Sequence, residues 1–249
     1  MIESDKNEYL INGFIKKTFK KTKCFDEMIK SLQILNNSND LHSKFLWESK
    51  YKDTLDLRPN VYDFSESFIE ILIENKILET LVKFTQLDLV LSHIQIRKSF
   101  ATSSYMDWHR DSYYVDNKAI GNTPPVHKLI FYPSFENNPK SKLKILAGSH
   151  SCMWNFQNER DMISPGLSRF DAQISQFLPE ARYDSSVDEF VLLDTSLLHG
   201  VIPDDENCHS VRVIYSFVTR DQFIEKYSQK SHHRELQEKF EKMRKYNES

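Results

Sequence analysis

The stretch LDLVLSHIQIRKSF, residues 87–100, marks the place where the sequence changes its pattern. Apolar and β-branched residues recur in it with a period of two, which is typical of a strand. The residues before it follow a helical period, and several short strand-like runs come after it. The change predicts a β-sheet core that is supported by helices from the first third of the chain.

Residues 1–86 are predicted to be mainly helical. Apolar residues repeat at helical spacing in KCFDEMIKSLQIL, residues 23–35. The strongest helix prediction covers residues 64–84, where one broad apolar stripe follows Ser65 as a plausible N-cap. These helices would pack against the core that follows them.

Four short strand-like runs follow the first strand. They are KLIFY (128–132), LKIL (143–146), EFVLL (189–193) and VRVIYSFV (211–218). Turn-rich segments separate them, and this arrangement is typical of a sandwich or barrel. The charged tail after Asp221 predicts a surface helix, in which His232 and His233 are expected to face solvent.

Composition limits the classes of protein to consider. A chain of 249 residues with 39% apolar and 28% charged residues fits one soluble globular domain. A net charge of −3 gives no electrostatic footprint for nucleic acid. No apolar run is long enough to span a bilayer, and no signal-peptide pattern opens the sequence, so we expect a cytoplasmic protein without a membrane partner. Three widely spaced cysteines are interpreted as free thiols.

The segment MDWHRDSYY, residues 106–114, carries an imidazole and a carboxylate two positions apart. On a strand, His109 and Asp111 would point to the same face and could converge on one point. The missing ligand is expected near the end of a later strand, where DTSLLHGVIP provides His199. Two histidines and one carboxylate form the facial triad that holds non-haem Fe(II) and leaves positions open for a cosubstrate and O₂. None of the cysteines has the spacing of a zinc site.

Arg212 lies 13 residues after His199, on the run VRVIYSF. A guanidinium there could form a bidentate pair with the distal carboxylate of a dicarboxylate whose other end chelates the metal. This is the geometry that 2-oxoglutarate requires. Arg212 is therefore a candidate for cosubstrate binding.

In combination, these motifs resemble those of the phytanoyl-CoA dioxygenase-like (PhyH-type) Fe(II)/2-oxoglutarate oxygenases. The resemblance rests on WHRD (108–111), KLIFY (128–132), KLKILAGSH (142–150), DTSLLHG (194–200) and then Arg212, in the order of the family. It covers residues 87–219, roughly half of the chain. The common Asn-Gly before the GSH strand is replaced by NNPKSK (137–142), and the spacing to Arg212 is slightly longer than usual.

The resemblance implies an α+β protein whose core, over 87–219, is a double-stranded β-helix, or cupin-like jelly roll. It implies a single oxygenase domain over 1–249, with helical support from 1–86 and a C-terminal helix over 220–249. His109, Asp111 and His199 would bind iron, and Arg212 would bind 2-oxoglutarate. Lys128 occupies the place of a further polar residue that could hold the same cosubstrate.

The implied activity is that of a dioxygenase. Such an enzyme uses O₂ to convert 2-oxoglutarate to succinate and CO₂ while it hydroxylates or otherwise oxidises a small-molecule substrate. Because Asp111 is present, hydroxylation or a related oxidation is favoured over halogenation. The oligomeric state is not indicated by the sequence.

The prime substrate is left open by these motifs. An anionic metabolite is one expectation, because several cationic side chains could line a pocket: Arg97, Lys98, Arg110, Arg160, Arg169 and Arg182. A saccharide-type metabolite is another. Two other classes of protein also remain open. One is a cupin-type metalloenzyme that does not use 2-oxoglutarate and would not need Arg212; the other is a non-catalytic binding protein on a relic oxygenase fold.

Overall fold

The computed structural model of this chain describes thirteen stretches of its sequence. They are residues 2–37, 47–51, 54–57, 61–100, 108–111, 114–115, 118–119, 126–134, 142–152, 162–164, 166–184, 186–202 and 209–248. The helices in them are α1 (Ile2–Asn12), α2 (Lys23–Asn37), α3 (Val61–Phe64), α4 (Ser67–Glu74), α5 (Ile77–Thr85), α6 (Arg169–Ile174), α7 (Arg220–Gln222) and α8 (Ser231–Glu248). A 3-10 turn covers Ser149–Cys152, and a π-helical turn covers Phe223–Tyr227.

The strands belong to two main sheets and two small hairpins. They are β1 (Phe14–Thr18), β2 (Trp47–Tyr51), β3 (Thr54–Leu57), β4 (Leu89–Phe100), β5 (Tyr114–Val115), β6 (Lys118–Ala119), β7 (His127–Phe131), β8 (Lys142–Leu146), β9 (Met162–Ser164), β10 (Leu167–Ser168), β11 (Glu180–Asp184), β12 (Glu189–Asp194), β13 (His199–Ile202) and β14 (His209–Thr219). The large sheet has the order β1-β12-β7-β14-β4-β3-β2, and the smaller one has the order β11-β8-β13. Neighbouring strands in both are antiparallel.

The two main sheets pack face to face, and alternation along the strands separates an inner from an outer face. On the inner face, Ile130 and Tyr132 share one apolar cluster with Leu143 and Ile145 of the smaller sheet. On the outer face, alternate residues such as Phe131 join the larger cluster that the helices cover. Because both faces of the large sheet are buried, apolar and β-branched residues are concentrated in its central strands, and this concentration predicts them from the sequence. The predicted jelly-roll core with packing helices is confirmed.

The first 86 residues differ in part from the prediction of helical support. They are mainly helical, but β1, β2 and β3 also lie here and join the two edges of the large sheet. The predicted helix over residues 64–84 is two helices, α4 and α5, because Lys76 adopts a left-handed backbone conformation with φ of 51°. Both helices pack into the same core cluster, so the apolar stripe continues across the break. The apolar periodicity of the sequence therefore does not reveal where α4 ends and α5 begins. The N-cap of α4 is Glu66, not Ser65, although the Ser65 hydroxyl accepts a hydrogen bond from the Ser67 backbone N–H.

The expectation of a solvated C-terminal helix is wrong for one face of α8. Leu236 and Phe240 are buried in the main core cluster, and Met243 packs against it. His233 is also buried, and its ring nitrogen Nδ1 lies 2.6 Å from the Ser92 carbonyl oxygen. These residues recur every three or four positions, so they form a narrow apolar stripe on an otherwise charged helix.

The expectations about membrane spans and cysteines can be compared with the described residues. None of the helices in them is long and apolar enough to cross a membrane. Cys24 and Cys152 are free thiols, whereas Cys208 lies outside the described residues.

Candidate active site

A short backbone ladder brings the first and last of the predicted metal ligands together. The His109 N–H donates to the His199 carbonyl at 2.9 Å, and the His199 N–H donates to the His109 carbonyl at 3.0 Å. The Asp111 N–H donates to the Thr195 carbonyl at 3.0 Å. His109 thus extends the smaller sheet beside β13, and the centres of the two imidazole rings are 4.3 Å apart.

The three side chains present one donor atom each to a common point. The Nε2 atoms of His109 and His199 both lie 3.5 Å from an Asp111 carboxylate oxygen. All three potential ligand atoms lie within 4.8 Å of one another. The Nδ1 atom of His199 is 2.9 Å from the Leu197 carbonyl oxygen, so this nitrogen carries the proton and donates it. The Nε2 lone pair then remains for a metal, as is usual for histidine ligands. Two imidazoles and one carboxylate suit a divalent transition metal.

Electrostatics favour the protonation states that metal binding requires. Burial acts to raise the pKa of Asp111, but Lys128 and then His199 outweigh it, and the pKa lies well below its usual value. Burial, followed by the electrostatic influence of His109, lowers the pKa of His199. At neutral pH the site therefore holds an ionised carboxylate beside a neutral imidazole, and both are forms that bind metal.

Lys128 lies directly beside this cluster. Its Nζ atom is 2.5 Å from Oδ2 of Asp111, which is an ion-pair contact. The two side chains are 21% and 26% exposed, respectively, whereas that of His199 is 5% exposed, so the cluster opens to solvent on the Lys128 side. The predicted contact between Lys128 and a cosubstrate stays a prediction, and the structure adds a contact with the Asp111 carboxylate.

Arg110 lies between His109 and Asp111 in sequence but points away from them. Its side chain is fully buried and donates through Nε and Nη2 to Oδ1 of Asp171, at 2.9 and 2.7 Å. Its Nη1 atom donates to the carbonyls of Ser149 and Ser196. Arg110 therefore joins residues 109–111, the segment with two of the candidate metal ligands, to the start of α6, to the 3-10 turn and to the loop before His199. Period-two alternation could have predicted this direction, but the role was missed.

Gly166 packs against the backbone of the same ligand segment. It has a φ of +76°, and a Cβ atom added there would lie 2.9 Å from the Arg110 carbonyl oxygen and 3.0 Å from the His109 Cβ. Its carbonyl accepts a hydrogen bond of 2.7 Å from the Arg110 N–H. Glycine is needed here both for its backbone conformation and for the close approach.

Arg212 lies on the inner face of the large sheet, as does Lys128. Lys128 is directly opposite Ser216 in the β7–β14 pairing, and Arg212 is four positions from Ser216 on β14. Residues an even number of positions apart on a strand share a face, and four positions span about 13 Å. Arg212 is buried, and its guanidinium lies 5.7 Å from the centre of the Tyr132 ring. Its burial is deeper than that of Lys128, as the predicted role in binding the far end of a cosubstrate requires.

A second arginine lies next to Arg212. Arg97 on β4 is directly opposite Arg212 on β14, and Asp56 on β3 is directly opposite Arg97. Arg97 donates through Nε and Nη2 to the two oxygens of Asp56, at 2.5 and 2.8 Å. The pKa of Arg212 is lowered by burial and then by Arg97, while Asp56 opposes the change. Sequence reasoning missed this arrangement because nothing near Asp56 indicates a strand that pairs with β4.

The other cationic side chains that favoured an anionic substrate mostly have structural contacts. Lys98 donates to the Asn36 carbonyl at 2.8 Å, and Arg182 contacts Glu180 at 2.6 Å. Arg97 and Arg110 hold Asp56 and Asp171, as described above. Arg169 is exposed, and Arg160 lies outside the described residues. The expectation of an anionic substrate therefore loses most of its basis.

No family model matches the chain, and no curated protein sequence is significantly similar to it. Solved structures match its fold. The epimerase SnoN, in complex with Fe³⁺, alpha-ketoglutarate and nogalamycin RO, has a TM-score of 0.63 at 9% identity over 88% of this chain and 83% of SnoN. AviO1 from Streptomyces viridochromogenes has a TM-score of 0.58 at 15% identity, over 88% of this chain and 96% of AviO1.

A further match is HygX from Streptomyces hygroscopicus, solved with nickel and 2-oxoglutarate bound. It has a TM-score of 0.57 at 14% identity, over 87% of each chain. At such low identities the likeness is one of fold. The chain therefore has the antiparallel, helix-supported jelly-roll architecture of these proteins.

Proposed function

We propose that this protein is an Fe(II)- and 2-oxoglutarate-dependent oxygenase that acts on a small molecule. The observation that carries the proposal is the convergence of His109, Asp111 and His199 on one point. Arg212, on the inner wall of the same core, supplies a buried cation at a distance from these ligands. The fold matches support the proposal, because SnoN and HygX were solved with a metal and the same 2-oxo acid.

Each residue of the site has a defined task in this proposal. His109, Asp111 and His199 hold the metal, and Lys128 keeps the Asp111 carboxylate ionised and oriented. Arg212 binds the distal carboxylate of 2-oxoglutarate, for which a guanidinium has the matching fork of donors. Burial of the two imidazoles keeps water away from them. The bound iron would supply the oxidation of substrate by O₂, with release of succinate and CO₂.

Finer features of the proposal rest on the sequence. The order of WHRD, KLIFY, the GSH segment, DTSLLHG and Arg212 favours a PhyH-type oxygenase in a single domain. A cytoplasmic location is part of the proposal and rests on composition alone. The presence of Asp111 favours hydroxylation or a related oxidation. Among substrates, a neutral or saccharide-type metabolite now fits better than an anionic one, because Arg97, Lys98 and Arg110 contact other parts of the protein.

The test is anaerobic addition of Fe(II) and then 2-oxoglutarate to the purified protein, followed by visible spectroscopy. We expect a weak metal-to-ligand charge-transfer band in the wild type. His199→Ala should abolish it, and Arg212→Ala should weaken it by lowering the affinity for the cosubstrate. Arg182→Ala is the matched control, because this arginine pairs with Glu180 on an exposed strand and should leave the band unchanged.

Two results would contradict the proposal in different ways. If iron binds but 2-oxoglutarate produces no band, a cupin-type metalloenzyme without this cosubstrate is the better interpretation. If neither binds, the protein should be studied as a binding module on a relic fold. A positive result leads to a substrate screen that is scored by succinate release.

A further inference from the structure

Three charged residues form a row across three neighbouring strands at the buried end of the proposed cosubstrate site. Arg212 on β14, Arg97 on β4 and Asp56 on β3 are successive register partners, so their side chains project from the same face. All three are buried. We propose that Arg97 is a positioning residue: it holds Asp56 and thereby directs Arg212 towards the distal carboxylate of the cosubstrate. This inference rests on the proposed function.

Several hydrogen bonds hold Asp56 beside Arg97. The two form a bidentate pair, and Gln95 donates a further hydrogen bond of 2.6 Å to Oδ2 of the same carboxylate. Bidentate guanidinium–carboxylate pairs combine strength with a fixed geometry. Asp56 is therefore held on the Arg97 side of the row, although its charge also acts on Arg212.

The direction of Arg212 matters for one end of the cosubstrate. A guanidinium binds a carboxylate through a matching fork of donors, so its orientation decides how well the pair forms. The distal carboxylate of 2-oxoglutarate would meet Arg212 in this way. A 2-oxo acid without a second carboxylate would lack the group that Arg212 binds.

Loss of Arg97 would change the partner of Asp56. In Arg97→Met, the buried Asp56 carboxylate would lose Arg97 as its partner. Arg212 would then be the remaining guanidinium of the row. Asp56 and Arg212 would pair, and Arg212 would be drawn away from the cosubstrate. The free energy of a hydrogen bond to a charged group corresponds to a change in affinity of roughly 10- to 100-fold. We expect a loss of this size in the affinity for 2-oxoglutarate.

The double variant Asp56→Asn/Arg97→Met separates positioning from simple structural support. It removes the carboxylate that would capture Arg212, so most of the affinity for 2-oxoglutarate should return. A residue that only stabilised the fold would give a double variant at least as impaired as the single one. Arg97→Lys keeps the charge but not the bidentate fork, and should show a smaller loss than Arg97→Met.

The experiment is an anaerobic titration of the Fe(II)-loaded full chain, followed by the charge-transfer band. It is done once with 2-oxoglutarate and once with 2-oxobutyrate, which keeps the chelating end but has no distal carboxylate. Only the affinity for 2-oxoglutarate should fall in Arg97→Met. Arg182→Met, which removes an arginine from an exposed ion pair, is the matched control and should change neither affinity.

Three results would overturn the inference while leaving the proposed function intact. They are an unchanged 2-oxoglutarate affinity in Arg97→Met, an equal loss for both acids, and a double variant no better than the single one. If the wild-type protein gives no band with either acid, the proposed function fails and the inference fails with it.

Discussion

At the scale of single residues, Arg110 shows how the protein fixes residues 109–111, which carry two candidate metal ligands, from their buried side. A strand that directs His109 and Asp111 to one side must direct the residue between them to the other. That side is fully buried, and the guanidinium there meets the carboxylate of Asp171. Asp171 also accepts a hydrogen bond from the Ser168 N–H at the start of α6. One buried ion pair therefore anchors both the ligand segment and the helix opposite it.

Removal of one partner of this pair should be costly. Arg110→Met leaves the Asp171 carboxylate buried without its cation, and such changes typically destabilise a protein by about 3–5 kcal/mol. We expect a loss of this order in the free energy of unfolding, measured by urea denaturation of the metal-free protein. Because Arg110 also holds the Ser149 and Ser196 carbonyls, the affinity for Fe(II) should fall as well.

Arg182→Met provides the comparison for this measurement. Arg182 and Glu180 have side chains that are 61% and 35% exposed, and exposed pairs contribute about 0–1 kcal/mol. If the two arginine variants lose similar amounts of stability, Arg110 does not have the anchoring role that its contacts indicate.

At the scale of elements, the strands nearest the site were the most predictable. β4, β7, β12 and β14 lie within one residue or two of the predicted runs, because apolar and β-branched residues are concentrated in these buried strands. His109, Asp111 and His199 were predictable for a related reason. Residues two positions apart on an extended segment share a face, and His199 follows the predicted strand that became β12.

The first three strands and the buried face of α8 were not predictable by the same means. β1 reads FIKKT and β2 reads WESKY, and neither has a strong apolar alternation. They are strands because an edge of the large sheet offers them partners, and that is a tertiary effect. Asp56 reaches Arg97 only through this pairing, so no local pattern could have identified it. In α8, charged residues outnumber the few apolar ones, so the composition of this segment predicts a solvent-exposed helix.

The packing of α8 makes a prediction about stability. Phe240 is 1% exposed and lies in the main core cluster, so Phe240→Ala should destabilise the protein by about 3–5 kcal/mol. Tyr246 is on the same helix but 83% exposed, and Tyr246→Ala should change stability by no more than about 0.5 kcal/mol. Urea denaturation followed by far-UV circular dichroism measures both. If Phe240→Ala changes stability as little as Tyr246→Ala does, the interpretation of α8 as a solvated surface helix would be restored.

At the scale of the whole molecule, the described residues include buried histidines in three separate places. His199 lies in the candidate metal site, His127 accepts a hydrogen bond from the Tyr9 hydroxyl at 2.7 Å or donates one to it, and His233 joins α8 to β4. Burial is the main cause of a lowered pKa in all three, and Asp194 opposes it at His127. The folded protein therefore keeps several imidazole rings neutral at a pH where the unfolded chain would protonate them.

This difference predicts that the protein loses stability in mild acid. The pKa of His233 is lowered from 6.5 to about 4, so between these values the unfolded state binds a proton that the folded state does not. The free energy of unfolding should therefore decrease as the pH falls from 6.5 to 4, by up to about 1.4 kcal/mol per pH unit for each such histidine. Urea denaturation of the metal-free protein at a series of pH values measures this slope. His233→Gln can still donate to the Ser92 carbonyl but does not titrate, so it should flatten the slope without abolishing it, because His127 and His199 remain. If the wild type and His233→Gln have the same slope, His233 is already protonated in the folded state. That result would conflict with its burial between α8 and β4.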